Sequence, residues 1–214
     1  MNITGLSKEI QVEGRKLTFF NQRNRDWTHP YAYHNTETLS SAGCGIFSLC
    51  HCAQWLTGHV QIPEKWADFS CANGGRGDDG TDRPALLHAP MATGMNVHLG
   101  FRYEEDGLRN DQDTLYDFLL HKRGVALCNL RVGHIVSLVA AREEDGIKQV
   151  LAIDSYSESA SEKVRDHVLE VIPGSEVIYT VKNQQGLPVG ENTAYAAFWV
   201  EASLPRDFNF LHSI

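Results

Sequence analysis

One segment constrains this chain more than any other: HIVSLVAAREEDGIKQVLAID, His134 to Asp154, two apolar runs joined by a turn sequence. Alternation predicts a strand from His134 to Ala141, and Gln149 to Asp154 reads as its antiparallel partner, with EEDG (Glu143 to Gly146) as the turn. A turn centred between Asp145 and Gly146 puts His134 opposite Tyr156, give or take one residue. With Tyr156 directly opposite, Asp154 becomes the diagonal neighbour of His134 on the same face, with Cβ atoms about 7 Å apart. A slip of one residue would send the two side chains to opposite faces.

Around this hairpin the chain divides into helices first and strands second. Val125 to Leu130 and Tyr195 to Val200 read as further strands, and Lys16 to Phe20 as a short early one. The polar, turn-rich stretch from Asn24 to Ser41 reads as a long loop. From Cys44 the apolar residues Ile46, Phe47, Leu49, Cys50, Ala53 and Leu56 fall at helical spacing, Ser41 or Gly43 can cap the start, and Gly58 ends it. A second helix is expected from Pro63, and a third from about Asp82 until Pro90 breaks or kinks it, with GGRGDDG between them as flexible loop. DQDTLYDFLLHKRG reads as a capped amphipathic helix. The segregation predicts an α+β protein, here one domain over residues 1–214 with an N-terminal helical part packed on a C-terminal antiparallel sheet.

The chemistry follows from where the reactive side chains fall. A cysteine thiol becomes a nucleophile at a helix N-terminus, where unpaired N–H groups and the helix dipole favour the thiolate, and Cys44 has that address. Gly43 and Gly45 beside it would allow close backbone approach, and the N–H at the helix start can donate to a developing oxyanion. His134 supplies a base, and Asp154 on the same strand face can orient its imidazole. His51 lies two turns along the Cys44 helix, about 10 Å by helix rise, too far to serve the thiol, and is read as packing. His29, His34, His59 and His121 have no carboxylate placed for them.

Other chemistries find less support. Cys50, His51 and Cys52 cannot share a metal ion on a helix, where Cys50 and Cys52 point about 200° apart, so no metal and no cofactor are expected. The net charge of −8, without a basic cluster, removes the electrostatic term of nucleic-acid binding. No run approaches the roughly 18 apolar residues of a membrane span, and the N-terminus lacks a signal-peptide pattern, so neither membrane nor export is expected. Five scattered cysteines fit free thiols in a reducing, cytoplasmic setting. Arg76-Gly77-Asp78 reads as a chance loop sequence rather than an adhesion signal.

Three motifs carry a family resemblance: FNQRNRDW around Gln22, SAGCGIFSLCHCAQWLTG around Cys44, and GHIVSLVAAREEDGIKQVLAIDS with His134 and Asp154. In order and wording, from about Phe19 to Ser155, they resemble the papain-like cysteine peptidases, and more narrowly the bacterial double-glycine leader peptidases of bacteriocin export. The resemblance implies a papain-like fold and the roles of Gln22 as side-chain oxyanion donor, Cys44 as nucleophile, His134 as general base and acid, and Asp154 as orienting group. The implied partner is a peptide or amide substrate. Departures are Ile46 and Phe47 where the family carries small residues, and Ser155 where proline often follows the aspartate. The same Cys-His-Asp set also serves acyl transfer, and a papain-like domain that has lost its chemistry can bind peptides.

Overall fold

The computed structural model describes residues 7–22, 24–34, 36–78, 80–106, 112–130, 133–155, 177–179, 194–201 and 207–214. The expected hairpin is its centre: β7 (His134–Glu144) and β8 (Ile147–Ile153) pair antiparallel around Asp145-Gly146, both in the left-handed region that a two-residue turn needs. The ladder runs evenly from Glu144↔Ile147 to Ala140↔Leu151 and then shifts by one, so that Leu138 faces Ala152 and Ser137 faces Ile153. Val139 is the extra residue, a β-bulge. Beyond β8, Asp154 therefore falls opposite Val136, two residues from His134 and on its face.

Five more strands extend this pair: β5 (Phe101–Asp106), β6 (Val125–Leu130), β9 (Val177–Tyr179), β10 (Ala194–Glu201) and β11 (Asp207–Ser213). The described residues form a seven-stranded antiparallel sheet in the order β5-β11-β6-β7-β8-β10-β9. Both faces are covered. Ala126, Cys128, Val136, Leu138, Ala152, Phe198, Phe208 and Phe210 pack against Leu115, Phe118 and Leu119 of α6 (Gln112–Leu120). Val125, Leu127, Ile135, Val139, Leu151, Ile153 and Leu211 join the larger core that contains α2 (Cys44–Thr57).

α2 is buried along every residue from Gly45 to Gln54, which explains why its sequence is apolar all round rather than striped. Gly58 ends it in the left-handed conformation, donating to the Gln54 carbonyl. α1 (Leu39–Ala42) precedes it, and α3 (Pro63–Ala72), α4 (Arg83–Ala92) and α5 (Met95–Leu99) complete the helical part. A hairpin of β1 (Ser7–Val12) and β2 (Arg15–Phe20) turns at Glu13-Gly14 and leads into Gln22.

Several expectations are corrected. α1 lies inside the stretch read as loop, because Thr38 and Ser41 make a reciprocal capping box. α4 continues through Pro90 to Ala92: the proline forfeits one bond in the last turn, where the Thr93 hydroxyl donates to the Ala89 and Pro90 carbonyls. GGRGDDG is not a free loop but contains the hairpin of β3 (Arg76–Gly77) and β4 (Gly80–Thr81). Its Arg76 is buried against the Tyr31 ring, donating to the Tyr31 and Gly80 carbonyls and ion-paired with Glu37. β1, α5, β5, β9 and β11 have no counterpart among the sequence expectations. Between β8 and β10, beyond Ser155, only residues 177–179 belong to the described residues.

His51 is packing, as read, with one addition. Its ring stacks with both Phe19 and Phe20, and Nε2 accepts the Phe20 N–H at 3.1 Å, tying α2 to the strand that carries Gln22. Burial pushes its pKa down to about 3, against a small opposing pull from Asp154. The unfolded chain binds this proton below about pH 6.5 and the native protein does not, so stability is full above pH 6.5 and lost as pH falls towards 3. Urea unfolding at pH 7 and pH 5 should show wild type losing about 2 kcal/mol more than His51→Gln over that interval.

Candidate active site

The first turn of α2 lies along the start of β7, and small polar side chains set its height. Ser48 Oγ donates to the Ile135 carbonyl at 2.9 Å, and Ser137 Oγ donates to the Ser48 carbonyl at 3.0 Å, both wholly buried. One turn further, the Cys52 thiol points to the Ala126 carbonyl at 3.6 Å. Cys44, Ser48 and Cys52 thus form an i, i+4, i+8 stripe facing the sheet. Four helical residues rise about 6 Å and two strand residues about 6.6 Å, so the stripe keeps step with β7.

This docking delivers Cys44 to His134. The half-buried Cys44 thiol hydrogen-bonds the imidazole, while the N–H groups of Ile135 and Gly45 donate to the sulfur. His134 is 4% exposed, and its Nε2 lies 2.8 Å from Oδ1 of the wholly buried Asp154, which leaves Nδ1 for Cys44. Burial alone would push the Cys44 thiol up; the His134 hydrogen bond and charge, with the two backbone N–H groups, outweigh it and bring the pKa below that of a free cysteine. Burial likewise disfavours the imidazolium, and Asp154 and Cys44 together reverse this, raising His134 to about 10. Both shifts favour the thiolate–imidazolium form of the pair over the neutral one.

Gln22, the fourth expected residue, joins through Ser155. Its N–H donates to the Ser155 carbonyl at 2.8 Å, and its side-chain Oε1 accepts from the Ser155 hydroxyl at 3.2 Å. The buried amide is thereby held with its NH2 as the donor end. Ser155, noted in the sequence only as a departure, is the residue that reading missed; its signal was adjacency to Asp154 and the absence of the more usual proline. All four expected residues therefore sit in one connected cluster.

The glycines flanking Cys44 have a reason different from the expected one. A Cβ on Gly43 would lie 2.5 Å from the Leu39 carbonyl, and one on Gly45 would lie 2.5 Å from Thr81 Oγ1. Thr81 is itself fixed by Tyr31, whose hydroxyl is 2.8 Å away. Both glycines admit neighbouring chain segments against the helix start. Among the described residues no group of three or more His, Cys, Asp or Glu side chains could hold a metal ion, and no helix is long and apolar enough to cross a membrane.

No family model matches the chain, and searches of curated proteins and of solved structures return no match.

Removing the Ser137 hydroxyl tests the docking. Ser137→Ala should cost about 1–2 kcal/mol in urea unfolding. It should also raise the pH at which Cys44 is half-maximally alkylated, because α2 loses part of its register on β7.

Proposed function

We propose that this chain is a papain-like cysteine hydrolase that cleaves a peptide or amide bond. The observation that carries the reading is the buried Asp154–His134 hydrogen bond aimed at a thiol whose pKa is held below the ordinary value at the start of a buried helix. An isolated structural cysteine would be driven the other way, as Cys50 and Cys52 are. The α+β arrangement, with the nucleophile helix on an antiparallel sheet, agrees with the papain-like resemblance of the sequence motifs.

In this mechanism the Cys44 thiolate attacks the substrate carbonyl carbon, and the carbonyl electron pair moves onto oxygen. The Gln22 amide and the Cys44 N–H donate to that oxyanion. The His134 proton, held at Nδ1, passes to the departing amine as the C–N bond breaks and the thioester forms. Neutral His134 then takes a proton from water, the hydroxyl adds to the thioester, and collapse frees the acid and the thiolate. Asp154 keeps the ring oriented and its positive form stable throughout.

Iodoacetamide labelling across pH 5 to 8, located by peptide mass spectrometry, tests the pair directly. Cys44 should label selectively at the acid end, ahead of Cys50, Cys52 and Cys71, whose thiols burial raises. His134→Ala should move Cys44 labelling to alkaline pH. Uniform slow labelling of the cysteines, or an inert Cys44, would defeat the hydrolase reading and favour a peptide-binding module.

Gln22 separates chemistry from thiolate formation. In a peptide-library turnover assay, Gln22→Ala should lower kcat about a hundredfold, in line with loss of one oxyanion donor, while Cys44 alkylation stays unchanged. Ser155→Ala should lower kcat in the same direction by a smaller factor, about tenfold, with KM little altered. Equal kcat in both variants and wild type would remove the amide from the mechanism.

A further inference from the structure

Alternate N–H groups of a strand point to the same side, so one edge of β2 faces β1 and the other must find partners elsewhere. On that second edge lie the N–H groups of Thr18 and Phe20, and the series continues past the end of the strand at Gln22. α2 supplies side-chain partners for the first two. The Gln54 amide, oriented to satisfy both groups, accepts the Thr18 N–H at 3.0 Å and donates to the Thr18 carbonyl at 3.3 Å. His51 Nε2 accepts the Phe20 N–H at 3.1 Å. The third N–H, that of Gln22, donates to the Ser155 carbonyl beside Asp154.

Towards β2 the helix thus does what a neighbouring strand would do, with the buried His51 and Gln54 as its rungs. From Gln54 to His51 is a step of about 4.5 Å towards Cys44. From Thr18 to Phe20 is a step of about 6.6 Å towards Gln22. β2 therefore runs against the direction of α2 and carries Gln22 to the end of the helix that bears the nucleophile.

Packing alone does not account for a histidine at position 51. Nε2 accepts a hydrogen bond, so the neutral ring carries its proton on Nδ1, and burial keeps the ring neutral by lowering its pKa to about 3. Nδ1 is buried and has no hydrogen-bond partner among the described residues. An apolar ring would stack on Phe19 and Phe20 without burying that donor. What the imidazole adds is an acceptor, at a fixed height on α2, for a backbone N–H two residues before Gln22.

We propose that, within the hydrolase reading on which this role rests, His51 is a positioning residue for the oxyanion side of the site. With Gln54 it sets the register of β2 on α2, and so the placing of the Gln22 amide relative to the Cys44 sulfur. It acts through the backbone of Phe20 and touches neither the sulfur nor the imidazole of His134.

Hydrolysis of p-nitrophenyl acetate, an activated ester that needs no side-chain recognition, tests this in His51→Phe and His51→Gln, each made in wild type and in Gln22→Ala. His51→Phe keeps an aromatic ring against Phe19 and Phe20 but removes the acceptor, and kcat/KM should fall about tenfold. His51→Gln, whose Oε1 can stand where Nε2 does, should recover most of that loss. In the Gln22→Ala background His51→Phe should change kcat/KM by no more than about twofold, because the amide it positions is gone. The pH profile of Cys44 alkylation should match wild type in each His51 variant. Should His51→Phe fail to fold, Gln54→Leu, which removes the neighbouring rung, carries the same expectation. An unchanged kcat/KM in the variant, or an equal loss in both backgrounds, would overturn the role of His51 and leave the hydrolase reading standing. A wild type without Cys44-dependent turnover of the ester would defeat that reading and this role with it.

Discussion

The candidate site depends on the antiparallel ladder between β7 and β8, and within it on one extra residue. Carried unbroken from the Asp145-Gly146 turn, the register would set Asp154 opposite Ser137, on the face away from His134. The bulge at Val139 moves each β8 residue beyond it by one position, and Asp154 comes to share a face with His134. The residue that makes this correction is not spare. Val139 is buried, and both it and Ala140 lie towards the α2 layer, opposite Leu151. Core packing therefore holds the register that aligns the imidazole with its carboxylate.

The second constraint is how a helix can be held at one height on a sheet. Apolar contacts between α2 and the sheet are non-directional, and sliding by a fraction of a turn would cost them little. Hydrogen bonds are directional, and the two reciprocal bonds of Ser48 and Ser137 lie in a wholly buried layer, where leaving either hydroxyl unpaired costs roughly 1–3 kcal/mol. They make the helix height discrete. Since Cys44 is one turn above Ser48, and His134 adjoins Ile135, fixing the serines fixes the sulfur against the imidazole.

The sequence carried this site better than it carried the fold around it. The alternation through His134 and the Asp-Gly turn are local signals, and so are the helix start at Cys44 and its glycine stop; each is decided by residues within a turn or a strand of one another. β11 pairs between β5 and β6, a choice made by contacts roughly a hundred residues apart, and no spacing rule reports it. β1 escaped notice because its turn is Glu-Gly, a weaker hairpin signal than Asp-Gly. The Arg76 hairpin was misread for a related reason. Glycine and aspartate speak for a loop, but a buried guanidinium collecting loop carbonyls gives that segment a polar core of its own.

Three cysteines on α2 show why residue type alone was never sufficient. Cys50 and Cys52 lie wholly inside, and burial raises both thiols, Cys52 to about 12 even with the Ser137 side chain in hydrogen-bonding contact. Burial acts on Cys44 in the same direction and is its largest single influence. What reverses the outcome is the company of a base whose own charge is stabilised by Asp154, together with two backbone N–H groups that the helix start and β7 supply. The lowered pKa is thus a property of the junction rather than of the helix. Moving the cysteine by one turn would lose the chemistry, because the imidazole stands at the end of the sheet and nowhere else along the stripe.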